Sequence, residues 1–394
     1  MTLGNDQAPV FINRDGPLRP DLVLVMTYIV LSAIGLLMVY SATAPALEAQ
    51  GLDPTAELRS QAIFVVIGFI VFGVVSVIDL TEIKGFVPPV YAISVLLLVL
   101  VLTPLGQEFN GAQRWIDLWV LDFQPSEVAK IAVILMVASV LSAVDMPLTW
   151  RSVARVLAVV GVPAALIFLQ PDLGTMLVFA FVTLVMLFVG GSTLRQLGFL
   201  ALATIIGTVG VFQLGVIKSY QQARLTAFLD PEAASLDEVY NQVQSEIAIG
   251  SGGLFGKGLV QGSQTNRRVV PEQESDFIFT AVGEQFGFIG AAFVLLLFGV
   301  LLFRLLMIAR SARSRFSFLV VTGITAMLAF HIFVNVGMTV RIMPVTGLPL
   351  PFMSAGGTVF VSLSAALGLA HAAWIRRNTT LAERLPERTP AGAR

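Results

Sequence analysis

Apolar residues gather in ten stretches along the chain, near 21–43, 61–79, 84–103, 127–144, 152–169, 173–190, 193–215, 276–303, 316–338 and 352–375. Each approaches the roughly 20 residues with which an α-helix crosses a bilayer. None alternates apolar and polar side chains with the period of two that a membrane barrel needs, and backbone amides in hydrocarbon must be satisfied within the element. The pattern predicts an all-α integral membrane protein of about ten transmembrane helices, forming one domain over 21–375 with a short segment, 1–20, before it and a tail, 376–394, after it. One long polar interruption, 216–275, separates helices seven and eight. The first run exceeds the roughly 7 to 15 residues of a signal-peptide core and reads as an uncleaved helix, although Ala42, Ala44 and Ala46 resemble a cleavage site.

Composition reinforces that reading. Hydrophobic residues make up 56% and charged residues 12% of the chain, against roughly 25% charged in soluble domains. A net charge of −1 gives nucleic acid nothing to bind. Without cysteine there are no disulfides, thiolate chemistry or cysteine-held metals. The two histidines, His331 and His371, are too few for a histidine-rich metal site or an ordinary serine triad, so carboxylates must do any acid–base work. Lys and Arg are retained on the cytoplasmic side of short loops. Placing the N-terminus inside puts Arg14, Arg19, Lys84, Arg151, Arg155, Arg195, the cluster Arg304, Arg310, Arg313 and Arg315, and the tail from Arg376 in the cytoplasm, and turns the long loop outward. Glycines 250, 252, 253, 256, 258 and 262 interleave there with Ile247, Ile249, Leu254, Phe255 and Leu259, so the loop should fold against the bundle, as a surface groove or a tight re-entrant turn.

Ionisable groups at membrane depth are costly and are therefore candidates for function. Asp276 opens the eighth helix, with Ser275 beside it as an alternative N-cap. Glu284 lies eight residues on, roughly 80° round a regular helix. Glu127 and Lys130, three apart at the head of the fourth helix, share a face and should pair, with Ser126 as N-cap. Gln170-Pro171-Asp172-Leu173-Gly174-Thr175 forms a turn that would start a helix well. Prolines 344, 349 and 351 with glycines 347, 356 and 357 break the connection before the last helix, and broken backbone at this depth lines a cavity. Arg341 there either binds an anionic headgroup or snorkels to phosphate level.

In order along the chain, Arg114-Trp115-Ile116, Gln124 to Lys130, Gln170 to Thr175, Arg224-Leu225 with Phe228-Leu229-Asp230-Pro231, Tyr240 through Gln244-Ser245 to Gly258, Pro271-Glu272, Asp276 to Phe279, Glu284, Asn335 to Met338 and Pro344 to Phe352 resemble the SEDS family of peptidoglycan glycosyltransferases. The resemblance is closer to its RodA elongation branch than to its FtsW division branch. It implies polymerisation of lipid II into β-1,4-linked glycan at the outer face of the bacterial inner membrane. Asp276 matches the family's aspartate general base; Glu127, Lys130 and Glu284 join it as catalytic candidates. Arg224 matches a loop arginine suited to pyrophosphate, and Trp115, Gln124, Ser126, Gln170, Asp172, Thr175, Gln244, Ser245, Lys257, Gln264, Asn335 and Thr346 fall at motif positions that would line the substrate site.

The resemblance also implies Mg2+ or Mn2+ without identifying ligands, a class B penicillin-binding transpeptidase as partner, and other membrane proteins of an elongation complex. Two departures stand out. Val340-Arg341-Ile342-Met343 and Ser354-Ala355-Gly356-Gly357-Thr358-Val359 replace the family's usual flanks of the C-terminal motif, losing a tyrosine, and Gln285 replaces a second glutamate after Glu284. A lipid II flippase is the alternative, since buried charges and broken helices also suit transport.

Overall fold

The computed structural model of the chain describes residues 19–109, 112–117, 122–213, 228 and 236–377. In order these form α1 (Leu22–Ala49), α2 (Ala56–Ser76), α3 (Leu80–Val101), β1 (Gly106–Phe109), β2 (Ala112–Asp117), β3 (Asp122–Phe123), α4 (Pro125–Ser142), α5 (Trp150–Leu169), α6 (Leu173–Val189) and α7 (Leu194–Gln213). Then follow α8 (Leu236–Ser251), a single turn α9 (Ser263–Asn266), α10 (Ile278–Arg310), α11 (Arg315–Thr339) and α12 (Gly357–Ile375). Among the described residues, eight helices, α1–α5 and α10–α12, are long and apolar enough to cross a membrane; α6 and the Leu194–Gly207 part of α7 are shorter apolar helices. The protein is a multi-pass, helical membrane protein.

Its patterning is inverted relative to a soluble bundle. On α2 the buried face carries Gln61, Val65, Gly68, Phe72 and Ser76, while Ile63, Val66, Ile70 and Val74 are exposed on the other. Small residues let helices approach where lipid supplies no hydrophobic contrast. A Cβ on Gly68 would collide with the Phe360 ring of α12. The spanning windows of α11 and α12 are 78% and 72% buried and that of α3 only 17%, which makes the former inner helices and the latter a lipid-facing one. The site-bearing segments lie at the end of the bundle where α4 and α10 begin and α11 finishes.

Three local features depart from the expectations above. The β1–β2–β3 antiparallel sheet occupies the connection between α3 and α4, for which the apolar runs predict no element, with Phe109 paired to Ala112 and Ile116 to Phe123. Strands this short carry no readable period, although Asn110-Gly111 between the paired residues is a strong hairpin signal. The fourth helix begins at Pro125 with Gln124 as N-cap, so Ser126 is inside the first turn and caps nothing. Asp276 precedes α10 rather than opening it: α10 starts at Ile278 after Phe277, without a side-chain cap, and neither Ser275 nor Asp276 fills that role.

The eighth apolar run is also broken, where a continuous helix was expected. Gly287 has φ 64° and ψ −163° inside α10. Backbone from the outer loop inserts at the break. Lys257 and Gly258 donate N–H groups to the Glu284 and Gln285 carbonyls at 3.1 and 3.0 Å, and Phe288 and Ile289 donate to the Gly253 and Leu254 carbonyls at 2.9 and 3.1 Å. Groups that would otherwise be orphaned in an interrupted helix are thereby satisfied. Such intimacy requires glycine: Gly256 sits at φ 79°, and a Cβ there would overlap the Gln285 carbonyl. Gly256→Ala is expected to destabilise the protein by at least about 2 kcal/mol through strain and overlap together. Gly250→Ala is the control, because its Cβ would meet no atom within 4 Å. Thermal unfolding in detergent should separate the two; equal melting temperatures would count against the inserted-loop account.

Candidate active site

Asp276 lies in the turn that leads from the outer loop into α10 and is half-buried. Its backbone N–H donates to the Glu272 carbonyl at 3.0 Å. Its own carbonyl accepts from Asn335 Nδ2 of α11 at 2.7 Å, and the same amide donates to the Leu348 carbonyl at 2.8 Å. One side chain thus ties the Asp276 turn to the broken segment 344–352. Gly347, at φ 74°, faces the carboxylate: a Cβ built there would stand 3.5 Å from Asp276 Oδ2.

A second charged group reaches this segment from α4. Lys130 Nζ, fully enclosed, donates to Glu127 Oε1 at 2.8 Å, so the sequence spacing of three does give an ion pair. The ammonium also lies 3.2 Å from His331 Nε2, and His331 Nδ1 is 3.4 Å from the Pro349 carbonyl. His331 was not among the residues singled out in sequence. It lies 201 positions from Lys130, and only the fold brings them together.

Around this pair, the turn before α6 and the sheet close the side. Arg114 on β2 donates to the Gln170 carbonyl at 3.1 Å and to the Pro171 carbonyl, and its guanidinium is 4.0 Å from Asp172. Asp172 caps α6, accepting from the Thr175 backbone at 3.1 Å and the Thr175 hydroxyl at 2.8 Å. Gln170 Nε2 donates to the Leu98 carbonyl at 3.1 Å. The Thr346 carbonyl approaches Gly174 so closely that a Cβ there would collide with it. Trp115 is half-buried on β2, and Gln124 is the buried N-cap of α4.

Glu284, Lys257 and Gln264 form a distinct network within the outer loop and α10. Glu284 Oε1 accepts from Lys257 Nζ and the Gln264 N–H, both at 2.8 Å, and Oε2 from the Thr265 N–H and hydroxyl at 2.9 and 2.7 Å. The network runs on towards the Asp276 turn. Gln273 Nε2 donates to the Thr265 and Thr280 hydroxyls at 3.2 and 2.7 Å, and Thr280 donates to the Phe277 carbonyl at 2.6 Å. Ser245 on α8 donates to the Thr339 carbonyl at 2.7 Å, and Gln244 beside it is half-buried. Arg341 reaches Glu246 at 3.5 Å. Arg224 lies outside the described residues.

Buried polar atoms normally find a partner. Ser126 Oγ, Glu127 Oε2, Gln170 Oε1, Asn335 Oδ1 and Thr346 Oγ1 have none within the protein, and all five belong to the motif residues around Lys130 and Asp276. They can accept hydrogen bonds from a hydroxylated ligand or water. As a metal site the set fits poorly. Among the described residues no group of three or more His, Asp or Glu is placed to hold an ion, and Glu127 already faces the Lys130 ammonium.

Residues 21–379 match the model of the FtsW/RodA/SpoVE family, described as cell cycle protein. The chain belongs to this family. It is 38% identical over 308 residues to the peptidoglycan glycosyltransferase MrdB of Escherichia coli strain K12, covering 77% of this chain and 83% of that protein. Its fold is similar to a chain of a solved peptidoglycan synthase complex, described as structurally coordinating polymerization and crosslinking, with TM-score 0.76, 30% identity, and 92% and 99% of the two chains covered. The rod shape determining protein RodA of Thermus thermophilus is similar with TM-score 0.67, 30% identity and the same coverage.

Proposed function

We propose that this SEDS-family peptidoglycan glycosyltransferase polymerises lipid II into β-1,4-linked glycan during cell-wall elongation. The observation that carries the reading is that one broken segment, 344–352, meets both the Asp276 turn and the Lys130 cluster. A base and a cation are thus held in one frame.

In the proposed reaction Asp276 accepts the proton of the acceptor sugar's hydroxyl while that oxygen forms a bond to the donor's anomeric carbon. The bond from that carbon to the diphosphate breaks, its electrons leave on undecaprenyl pyrophosphate, and the configuration inverts. Charge developing on the diphosphate is stabilised by cations: Lys130, preorganised by Glu127, and the loop arginine Arg224. Trp115, Gln124, Ser126, Gln170, Gln244, Asn335 and Thr346 would line the sugar and diphosphate path. Glu284 has both oxygens occupied by loop donors, Asp172 has both occupied by Thr175, and the Ser245 hydroxyl donates to the Thr339 carbonyl, so these, with Lys257, Gln264 and Thr175, shape the site instead of exchanging protons. Among the described residues Mg2+ or Mn2+ finds no protein cage, and it would be held chiefly by the diphosphate itself, as magnesium often is.

The apolar runs support about ten spans, the Lys and Arg distribution supports cytoplasmic termini with this site outward, and the family resemblance supports the bacterial inner membrane as the location. Glycan strands require crosslinking, and a class B penicillin-binding protein is the partner proposed, with other elongation-complex membrane proteins beside it. The test is a nanodisc preparation of the chain with that partner, given lipid II. Glycan polymer and released undecaprenyl pyrophosphate are expected. Movement of lipid II between leaflets without polymer would make the chain a flippase and overturn the reading.

A further inference from the structure

His331 has no part in the reaction just described, yet it is fully buried and polar on both sides. The chemistry of its neighbours fixes its state. Lys130 Nζ carries only donors and already donates to Glu127 Oε1. The 3.2 Å contact with His331 Nε2 therefore makes Nε2 the acceptor, which leaves the imidazole proton on Nδ1, facing the Pro349 carbonyl at 3.4 Å. A neutral imidazole thus joins a cation on α4 to the backbone of the broken segment.

Asn335 stands one helical turn further along α11 and does the matching task for the Asp276 side, donating to the adjacent Leu348 carbonyl and to the Asp276 carbonyl. Residues four apart share one helix face. Side chains from a single face of α11 therefore hold two consecutive carbonyls, one connected to Lys130 and the other to Asp276. Pro349 lacks an N–H and cannot anchor the segment through its own amide. The helix acts as a ruler between the two charged groups.

We infer that His331 is a positioning residue for the polymerase, bridging the Lys130 ammonium to the Pro349 carbonyl and so fixing where Lys130 stands relative to Asp276; this rests on the function proposed above. A side chain that merely fills space would be replaced by leucine without loss of turnover. A bridge instead requires an acceptor and a donor side by side on the head of a side chain of this reach. Glutamine retains both, its carbonyl accepting from Lys130 and its amide donating to Pro349. Asparagine carries the same groups on a chain one methylene shorter, and leucine carries neither.

The experiment compares His331→Gln, His331→Asn and His331→Leu in nanodiscs with the partner transpeptidase, measuring kcat and KM for lipid II together with the melting temperature. Glutamine should turn over close to the wild-type rate. Leucine and asparagine should lower kcat by about 100-fold, the cost of misplacing a catalytic group by about 1 Å, with KM nearly unchanged because ground-state contacts with the lipid remain. Wild-type turnover by the leucine variant, a loss confined to KM, or a glutamine variant as impaired as leucine would each overturn the bridge. Should leucine not fold, glutamine against asparagine decides, and equal rates for that pair overturn it. If the wild type makes no polymer, the proposed function fails; if it polymerises, Asp276→Asn does not, and His331→Leu is fully active, only the positioning role falls.

Discussion

Asp276→Asn is expected to reduce lipid II polymerisation by about 10²- to 10⁴-fold, the range over which a positioned general base contributes. Asparagine keeps the size and planarity of the side chain and removes its negative charge together with its capacity to take a proton. The turn should survive the change, because it is held through backbone groups: the Asp276 N–H donates to Glu272, and the Asp276 carbonyl accepts from Asn335. No clash with Gly347 is introduced, since even a Cβ built there would stand 3.5 Å from Asp276 Oδ2, an ordinary van der Waals distance. Glycan product formed from lipid II in nanodiscs, read beside the melting temperature, checks this. Unimpaired polymerisation by a folded Asp276→Asn protein would remove Asp276 from the chemistry.

Features that depend on neighbours in sequence were legible, and features that depend on distant backbone were not. The Glu127–Lys130 pair is set by helical spacing alone, and it forms as that spacing requires. The end of the bundle where the site lies follows from hydropathy, since the order of spans and short turns brings the starts of α4 and α10 and the end of α11 together. By contrast, the apolar residues Phe277 to Phe279 continue through the turn before α10, so hydropathy runs the helix back over Asp276 when the backbone has already left it. The Gly287 break is invisible for the same reason. Apolar composition persists across it, and its lost hydrogen bonds are restored by loop glycines some thirty positions upstream, such as Gly253 and Gly258. Ser126 was misread for a recognisable cause: Pro125 is itself the first-turn signal, and it moves the cap to Gln124. His331 is isolated in an apolar run, and only long-range contacts reveal what it touches.

Removing the other charged member should disturb folding as well as chemistry, and the two effects can be separated. Lys130→Met leaves the Glu127 carboxylate buried without its ammonium, which costs about 3–5 kcal/mol in comparable pairs, and it deprives the developing diphosphate charge of a cation. Both stability and polymerisation should fall. Adding Glu127→Gln replaces the stranded charge with a neutral amide, so the double variant should recover most of the lost stability. It should not recover activity, because the cation is still missing. Coupling of this kind between side chains in contact is what a double-mutant cycle measures. Melting temperatures in detergent and polymer yield from lipid II supply the two readouts. If Glu127→Gln/Lys130→Met regains polymerisation together with stability, then Lys130 acts only as a counter-ion within the bundle, and the leaving diphosphate must draw its positive charge from elsewhere.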